Sequence, residues 1–403
     1  MKMKSFWVKC FVLLSLAAAL CCPALEKPAK NSPASGIDLK APPAVFAVGK
    51  DYQIMVAAKD TLVRIRVDGR FYSDHINGVR PSVRTVHRFR IPMDALDKAG
   101  KYEIFCRKLP NRLPYLHKTT PEPETSQTFT FRKIPENDIR IYHLSDTHSR
   151  LISPVKTALA SGRIDLLVLN GDIMDSVYKE EQLEYPCILA GKITKGAFPA
   201  ICTRGNHELR GKFAEIVPDY TPNDNGRLYY TVRLGPIWAL VLDTGEDKAD
   251  ESRVYGSTID CVRHREEILD FMKKIIAKGE FNAPGIRYKL VICHIPFPRY
   301  IGDDDKISPK RKHYAVFTEW CRVLRTGLKP DLTLCGHVHK TMLLDGRNIY
   351  PCPVIVGSKP GKGWDSPLFT GASIVLKDRN AVLKFMDQDG KVEFEKNLPL
   401  LKK

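Results

Sequence analysis

The feature that most constrains this chain is a series of five short motifs that are rich in Asp, Asn and His. In chain order the motifs are Asp146-Thr147-His148, Gly171-Asp172-Ile173-Met174-Asp175, Arg204-Gly205-Asn206-His207-Glu208, Val291-Ile292-Cys293-His294 and Gly336-His337-Val338-His339. Each motif follows or ends a short apolar run, which is typical of a buried β-strand. Because the carboxyl ends of parallel strands meet at one edge of a sheet, the sequence predicts that these side chains share a site.

The order of these residues resembles that of the calcineurin-like metallophosphoesterases, a superfamily that includes purple acid phosphatases, phosphoprotein phosphatases and nucleotide phosphodiesterases. The resemblance covers about residues 138–345. A lone Gly-Asp pair is usually a turn and a lone Asn-His pair is usually a loop, but five motifs in family order are highly specific. The resemblance implies an α/β fold in which two sheets form a sandwich, and metal-dependent hydrolysis of phosphate esters.

The resemblance also implies two metal ions and assigns their ligands residue by residue. Asp172 matches the residue that bridges the two ions, a position that needs an anionic group with two oxygens. The other ligands would be divided between the ions: Asp146, His148 and His339 for one, and Asn206, His294 and His337 for the other. A hydroxide that bridges the ions would attack the phosphorus. Mixed nitrogen and oxygen donors suit Mn, Fe or Zn and leave the identity of the metal open.

Three further residues are candidates for catalysis by the same resemblance. His207 matches the histidine that protonates the leaving oxygen, and Asp175 matches the carboxylate that orients it. Arg204 matches the phosphate-binding arginine of the phosphoprotein phosphatases, whose guanidinium holds two phosphate oxygens. The companion arginine of those enzymes is Ser176 here, which argues against a phosphoprotein phosphatase.

Two departures also separate the chain from the purple acid phosphatases. Their first motif reads Asp-x-Gly, whereas this chain has His148 at the third position. Their iron-binding tyrosine is replaced here by Asp175. We therefore expect a site without the colour that a tyrosinate–iron bond produces.

Residues 1–24 have the pattern of a signal peptide, with lysines followed by an apolar run from Phe11 to Leu20 and then by small residues. The run is too short to cross a membrane as a helix. We expect an exported protein, periplasmic or extracellular, without a transmembrane segment after cleavage. A lipid on Cys21 or Cys22 is the alternative, although the residue before a lipidated cysteine is normally small. Residues 25–43 are rich in Pro, Lys and Ser and predict a flexible linker.

Two folded domains are predicted after the linker. Over residues 44–134, apolar and polar residues alternate, and turn pairs such as Asn77-Gly78 separate the runs. This pattern predicts a small all-β sandwich of the immunoglobulin or fibronectin type. Residues 138–400 are assigned to the metallophosphoesterase domain, with helices over 259–277 and about 315–328. The short strands after residue 345 are expected to complete its second sheet.

The formal net charge of +17 favours anionic partners such as phosphate esters. Because the chain lacks a nucleic-acid-binding motif, we expect no specific binding of nucleic acid. Three of the eleven cysteines lie in the signal region, and others, such as Cys293 and Cys335, lie in apolar strand runs. We expect mostly free, buried thiols, with room for one disulfide that the sequence does not place. The oligomeric state stays unknown.

Together these features predict an exported two-metal phosphohydrolase that cleaves small-molecule phosphomonoesters. A phosphodiesterase that acts on nucleotides or phospholipid headgroups has the same core and stays open. A surface-binding protein with a degenerate hydrolase domain is the alternative from another class, and the complete ligand set argues against it. The polar turn 243–247 is a further candidate, for the rim of the site. The charged segment 297–313 is either a substrate-selecting lid or a solvated loop.

Overall fold

The computed structural model describes residues 37–118, 122–301, 309–345, 350, 352–363 and 365–400. The predicted signal peptide, the predicted linker up to residue 36 and residues 302–308 of the charged segment lie outside the described residues. Within the described ranges, the strands in chain order are β1 (Ala44–Val48), β2 (Asp51–Ala57), β3 (Thr61–Val67), β4 (Arg70–Ser73), β5 (Val86–Pro92), β6 (Lys101–Lys108), β7 (Thr125–Thr130), β8 (Ile139–Leu144), β9 (Leu166–Asn170), β10 (Ala200–Thr203), β11 (Tyr230–Leu234), β12 (Ile237–Leu242), β13 (Tyr288–Cys293), β14 (Leu332–Cys335), β15 (Met342–Leu344), β16 (Val354–Val356), β17 (Lys359–Pro360), β18 (Phe369–Lys377), β19 (Asn380–Asp387) and β20 (Val392–Pro399). The α-helices are α1 (Met93–Ala99), α2 (Ile152–Ala160), α3 (Tyr185–Thr194), α4 (Val217–Tyr220), α5 (Cys261–Lys278) and α6 (Ala315–Val323).

The described strands form three sheets. A ten-stranded sheet has the order β20-β19-β18-β8-β9-β10-β1-β2-β5, with β17 paired to β18; a six-stranded sheet has the order β11-β12-β13-β14-β16-β15, and a four-stranded sheet has the order β4-β3-β6-β7. In the ten-stranded sheet β8, β9 and β10 are parallel neighbours, and in the six-stranded sheet β12, β13 and β14 are parallel neighbours. The two-sheet α/β fold is therefore confirmed.

Helices cover the outer faces of the two large sheets, because the parallel strands are apolar on both faces. All five residues of β9 are buried. In α5, Ile268, Met272 and Ile275 recur at helical spacing and lie buried against the six-stranded sheet. Helices α2 and α3 lie in the same way against the ten-stranded sheet. One apolar core fills the space between the sheets.

The N-terminal strands are continuous with the large sheet. Strand β1 pairs in parallel with β10, with Phe46 opposite Ala200, and β2 and β5 extend the sheet outward. The four-stranded sheet packs on this extension, and its Ile65 and Ile104 belong to the same core as Val45 and Ile54. The N-terminal strands thus share a sheet and an apolar core with the rest of the chain. The division into domains at residues 44–134 and 138–400, and the immunoglobulin or fibronectin type of the first, stay predictions.

The C-terminal strands differ in part from the expectation. Strand β16 completes the six-stranded, second sheet as predicted, and β15, which precedes residue 345 and was not predicted, pairs with it. Strand β18 instead pairs with β8, β19 with β18 and β20 with β19, so these three strands complete the ten-stranded, first sheet. The prediction was wrong for these three strands because sheet order depends on pairing that the alternating pattern does not specify.

The cysteines follow the expectation of buried, free thiols. The eight cysteines that the structure describes are all buried and without a disulfide. The Sγ atoms of Cys293 and Cys335, on neighbouring strands, are 3.5 Å apart. No helix within the described residues has the length and hydropathy that crossing a membrane requires.

Candidate metal centre

The five motifs meet where the two large sheets face each other. Asp146 and His148 follow β8, Asp172 follows β9, and Asn206 follows β10 of the ten-stranded sheet. His294 follows β13, and His337 and His339 follow β14 of the six-stranded sheet. The loops are joined across the sheets, since the backbone N–H of His337 donates to both carboxylate oxygens of Asp146 at 3.0 Å. The structure therefore brings together every predicted metal ligand.

The backbone at these residues is in an unusual conformation. Positive φ angles, which non-glycine residues adopt in only a few per cent of cases, occur at most of the candidate ligands: Asp146 (53°), His148 (46°), Asp172 (51°), His337 (72°) and His339 (55°). Backbone strain of this kind collects at functional sites, where it directs side chains that regular structure would turn elsewhere.

The first group of candidate ligands surrounds Asp146. Its Oδ1 atom is 3.5 Å from His339 Nε2, and His339 Nε2 is 2.9 Å from His148 Nε2. Ligand atoms of these three residues and of Asp172 all lie within 4.8 Å of one another. Two imidazole nitrogens that face each other beside a carboxylate suit a cation placed between them.

The second group lies on the other side of Asp172. Asp172 Oδ2 is 3.2 Å from His294 Nε2, and ligand atoms of these residues and His337 also lie within 4.8 Å of one another. His337 Nδ1 is 2.9 Å from Asn206 Oδ1. Because Asp172 belongs to both groups, its position fits the predicted bridging role. His294 Nδ1 donates to the Asn170 carbonyl at 2.7 Å, so Nε2 is the ring nitrogen that would bind a metal after losing its proton.

The charges of the buried groups also fit a cationic occupant. Burial and Asp172 raise the pKa of Asp146, although His294 and His339 oppose this. Burial opposes protonation of His294, but Asp172 and Asp146 raise its pKa to about 10. The buried carboxylates of Asp146 and Asp172 thus favour the positively charged form of the His294 imidazole. Two carboxylates, an amide and four imidazoles are the donor set that Mn, Fe or Zn prefers, so the residues present fit the implied metals.

Glu208, the last residue of its motif, holds two of the loops together. Its carboxylate accepts hydrogen bonds from the backbone N–H groups of Gly205 (2.8 Å), Asp172 (3.0 Å) and Met174 (2.8 Å). Burial and the charge of Asp172 raise its pKa to about 7. Glycine is required beside it, because a Cβ atom on Gly205 would lie 2.3 Å from both the N and Oδ1 atoms of Asp172.

His207 and Asp175 lie together at the edge of the first group. His207 Nδ1 is 2.7 Å from the Asp175 carbonyl oxygen and 3.2 Å from its Oδ1 atom. Asp175 Oδ1 is also 3.3 Å from His148 Nδ1. If Nδ1 carries the proton and donates to Asp175, His207 presents Nε2 toward Asp172, whose Oδ2 is 3.8 Å away. The predicted roles of His207 and Asp175 stay predictions with suitable geometry.

Arg204 has a partner away from the two ligand groups. Its Nη2 atom is 2.7 Å from Oδ2 of Asp243, which is buried and also lies 3.2 Å from His264 Nε2. Burial would raise the pKa of Asp243, but Arg204 and His264 hold it below its usual value. The phosphate-binding role of Arg204 stays a prediction.

Another guanidinium, which the sequence analysis missed, contacts His207. Arg210 Nη1 is 2.9 Å from His207 Nε2, and its Nε donates to the Tyr255 hydroxyl at 3.0 Å. Burial acts to lower the pKa of Arg210, but the hydrogen bond to Tyr255 and the charges of Glu246 and Asp172 raise it above its usual value. Its only signal in the sequence is its spacing, since it follows His207 by three residues in the same turn.

The polar turn 243–247 reaches the site as well. Asp247 Oδ2 is 2.9 Å from His337 Nε2, the ring nitrogen opposite the one that faces Asn206. A carboxylate on the outer nitrogen of a metal-ligating histidine fixes its orientation and increases its basicity. Glu246, fully buried, accepts hydrogen bonds from the Asn206 side chain at 3.3 Å and from the Tyr255 hydroxyl.

Fold and site together define the class of protein as a metal-dependent phosphoesterase. The model of the family described as calcineurin-like phosphoesterase matches residues 139–341, about half of the chain. The chain belongs to this family. No curated protein sequence matches it significantly.

Two solved structures are reported as similar to the chain. A purple acid phosphatase from yellow lupin (Lupinus luteus) seeds is 13% identical, with a TM-score of 0.53 over 89% of this chain and 74% of that chain. A dimetal phosphatase from Danio rerio is 13% identical, with a TM-score of 0.46 over 66% of this chain and 100% of that chain. At 13% identity, the similarity to the lupin phosphatase shows a shared fold alone.

Proposed function

We propose that the protein is an exported two-metal phosphohydrolase that cleaves phosphomonoesters. The observation that carries the proposal is the convergence of seven ligand-type side chains from both sheets, with Asp172 shared by two groups. Export is proposed from the N-terminal sequence pattern. A phosphodiesterase with the same core is the alternative that the test below separates.

Each residue of the site has a proposed task. Asp146, His148 and His339 would hold one metal ion, Asn206, His294 and His337 the other, and Asp172 both. When bound, the metal pair supplies Lewis acidity to the phosphoryl oxygens and lowers the pKa of a water molecule. His207 Nε2 would give a proton to the leaving oxygen, and Asp175 would orient the ring through Nδ1. Arg210 would hold the phosphoryl group beside His207.

The test is the Asp172→Ala variant of the full chain. We expect loss of at least one metal ion by elemental analysis and loss of hydrolysis, because one carboxylate serves both groups. Wild-type protein loaded with Mn, Fe or Zn should cleave p-nitrophenyl phosphate faster than bis-p-nitrophenyl phosphate. The reverse preference would support the phosphodiesterase. Two metal ions and unchanged turnover in the variant would remove Asp172 from its role.

A further inference from the structure

A large cavity opens beside the first group of ligands. It has a volume of about 750 Å³ and is bordered by His148, Asp175, His207 and His339. Residues 359–363 and 368–370 and the end of β19 also line it. Binding sites for small molecules typically measure about 300–1,000 Å³. The cavity therefore has room for much more than the phosphoryl group that the metal ligands and His207 would hold.

Basic side chains line much of the cavity. They belong to Arg150, Lys340, Lys359 and Lys362, and the acidic residues there besides Asp175 are Asp387 and Glu393. Lys359 is neutralised, because its Nζ atom is 2.8 Å from Glu393 Oε2. Asp387 Oδ1 is already occupied by the backbone N–H groups of Asp389 and Lys391, both at 2.9 Å.

The remaining three cations form no close ion pair within the described part of the chain, although the charge of Asp365 acts on Arg150 from further away. Among the described residues, no ion pair within 4.0 Å involves Arg150, Lys340 or Lys362. The Arg150 guanidinium is anchored at one nitrogen, since Nη2 donates to the Gly363 carbonyl at 2.6 Å. Its Nε and Nη1 atoms are buried and make no hydrogen bond to the described residues. Buried donors without an acceptor are costly, and a guanidinium fork suits the paired oxygens of a phosphate or carboxylate.

The cavity also has an apolar surface. Leu368 and Phe369 line it, and Leu368 is exposed. A substrate that contacted both the metal ligands and the basic side chains would place its carbon skeleton on this surface. The metal ligands and the basic side chains then call for two anionic groups on the substrate.

We propose that the substrate is a small phosphate ester whose alcohol part carries a second anionic group, a phosphate or a carboxylate. Arg150, Lys340 and Lys362 bind that distal group while the metal ligands and His207 face the scissile phosphate. The proposal rests on the proposed function of the same site and names its substrate class.

Binding is tested with two phosphonates that the protein does not hydrolyse, butane-1,4-diphosphonate and butylphosphonate. In calorimetric titrations of the full-length, metal-loaded protein we expect the diphosphonate to bind about tenfold more tightly, equivalent to one ion pair of about 1.4 kcal/mol. The K340Q/K362Q variant should lose this ratio. The K377Q/K384Q variant is the matched control, because it removes the same charge from lysines that are paired with Asp138 and Glu395 outside the cavity.

Turnover distinguishes the two kinds of distal group. The kcat/KM values for fructose 1,6-bisphosphate against fructose 6-phosphate test a phosphate, and those for 3-phosphoglycerate against glycerol 3-phosphate test a carboxylate. We expect at least one ratio of about tenfold, carried mainly by KM and abolished in K340Q/K362Q but not in the control variant. R150Q should reduce the same ratio.

Three results would overturn the proposal. They are equal binding of the two phosphonates by the wild-type protein, an equal fall of the ratio in the variant and the control, and hydrolysis of all four esters with ratios near one. A failure of the proposed function gives a different result. In that case the protein hydrolyses none of the four esters but still binds the diphosphonate more tightly than butylphosphonate. Hydrolysis of all four esters with ratios near one would retain the phosphohydrolase and remove the distal site.

Discussion

At the scale of single residues, the strain of the site lies in its backbone. A left-handed conformation costs a non-glycine residue about 1–2 kcal/mol. Backbone hydrogen bonds hold the ligand residues in it, such as Asp146 N–H to Gly171 O at 3.0 Å and His148 N–H to Asp172 O at 2.9 Å. The strained turns let residues two apart, His337 and His339, direct their rings to different ligand groups. Stability is thus lowered locally to place the side chains.

Replacing His207 with Asn should slow hydrolysis in a way that depends on the leaving group. An alkoxide must be protonated as it departs, and general-acid catalysis contributes about 10²–10⁴-fold. A nitrophenolate leaves with little assistance. We therefore expect a much larger loss of kcat/KM on glycerol 3-phosphate than on p-nitrophenyl phosphate, with both metal ions retained. His75→Asn, on an exposed turn, is the control; equal losses on both substrates would contradict a role as general acid.

Replacing Arg204 with Ala should cost stability because it leaves Asp243 buried with only His264 beside it. Breaking a buried pair typically costs about 3–5 kcal/mol, whereas Arg227→Ala, which breaks the exposed pair with Asp224, should cost under about 1 kcal/mol. Urea denaturation measures both. The pKa of Asp243 is lowered from 3.8 in the fold, so its ionised form stabilises the protein above that value and this contribution is lost as the pH falls.

The stability difference between wild type and Arg204→Ala should therefore be largest near neutral pH and shrink below about pH 4. A difference that stays constant from pH 7 to pH 3.5 would show that the ion pair is not its cause. A raised KM for p-nitrophenyl phosphate at neutral pH, with an unchanged kcat, would support the predicted phosphate-binding role of Arg204 in addition.

The residue types and their order in the motifs predicted the metal ligands. The contacts between residues that are far apart in the chain could not be predicted from the sequence. The ligands stand directly after apolar runs, so their position at strand ends follows from local pattern. Asp247 and Arg210 stand in turns whose path depends on packing against Tyr255 and Glu246. No local pattern distinguishes such residues from solvated charges.

At the scale of elements, the site depends on how closely the loops after neighbouring strands approach each other. The loops after β9 and β10 touch at Gly171 and Gly205, where an added Cβ atom on Gly171 would lie 2.8 Å from the Gly205 Cα. The loops after β13 and β14 are joined by the Gly336 N–H, which donates to the His294 carbonyl at 2.8 Å. Movement of one loop therefore displaces ligands on the next.

Gly205→Ala should disturb the metal site through this close approach. Its Cβ atom would clash with the backbone N and Oδ1 of Asp172, and relief of overpacking typically costs about 1–3 kcal/mol. We expect a lower metal content and a lower Tm. Gly69→Ala is the control, since its Cβ atom would meet nothing within 4 Å, and its φ of +76° makes it the more strained of the two backbones for alanine. Equal metal content in the two variants would contradict the steric explanation.

Element positions were predictable where periodicity was strong. The helix expected over 259–277 is α5, at Cys261–Lys278. The helix expected over about 315–328 ends as α6 at Val323 and continues as a π-helical turn, Leu324–Leu328. That turn brings Gly327 against Ile276 of α5, where a Cβ atom would lie 2.7 Å from the isoleucine side chain. Such a contact between helices leaves no periodic signal.

At the scale of the whole molecule, one apolar core joins regions that the sequence pattern separates. Val45 of β1, Ile65 of the four-stranded sheet, Ile292 of the six-stranded sheet and Ile374 of β18 belong to the same buried cluster. A core of this extent favours unfolding as one cooperative unit. The change from alternating to α/β pattern near residue 138 does not reveal it, because sheet continuity depends on the single pairing of β1 with β10.

Phe46→Ala tests whether the predicted domains unfold together. Phe46 is fully buried opposite Ala200, and such a substitution costs about 3–5 kcal/mol. Trp238 and Trp320 are both buried on the side of the six-stranded sheet, so their fluorescence reports on the metallophosphoesterase half. We expect the tryptophan transition to shift to lower temperature together with the calorimetric transition, as one peak. Leu96→Ala, buried in α1 of the N-terminal segment, should shift both in the same way. Two calorimetric peaks, with the tryptophan transition unmoved by either substitution, would instead show two domains that unfold independently.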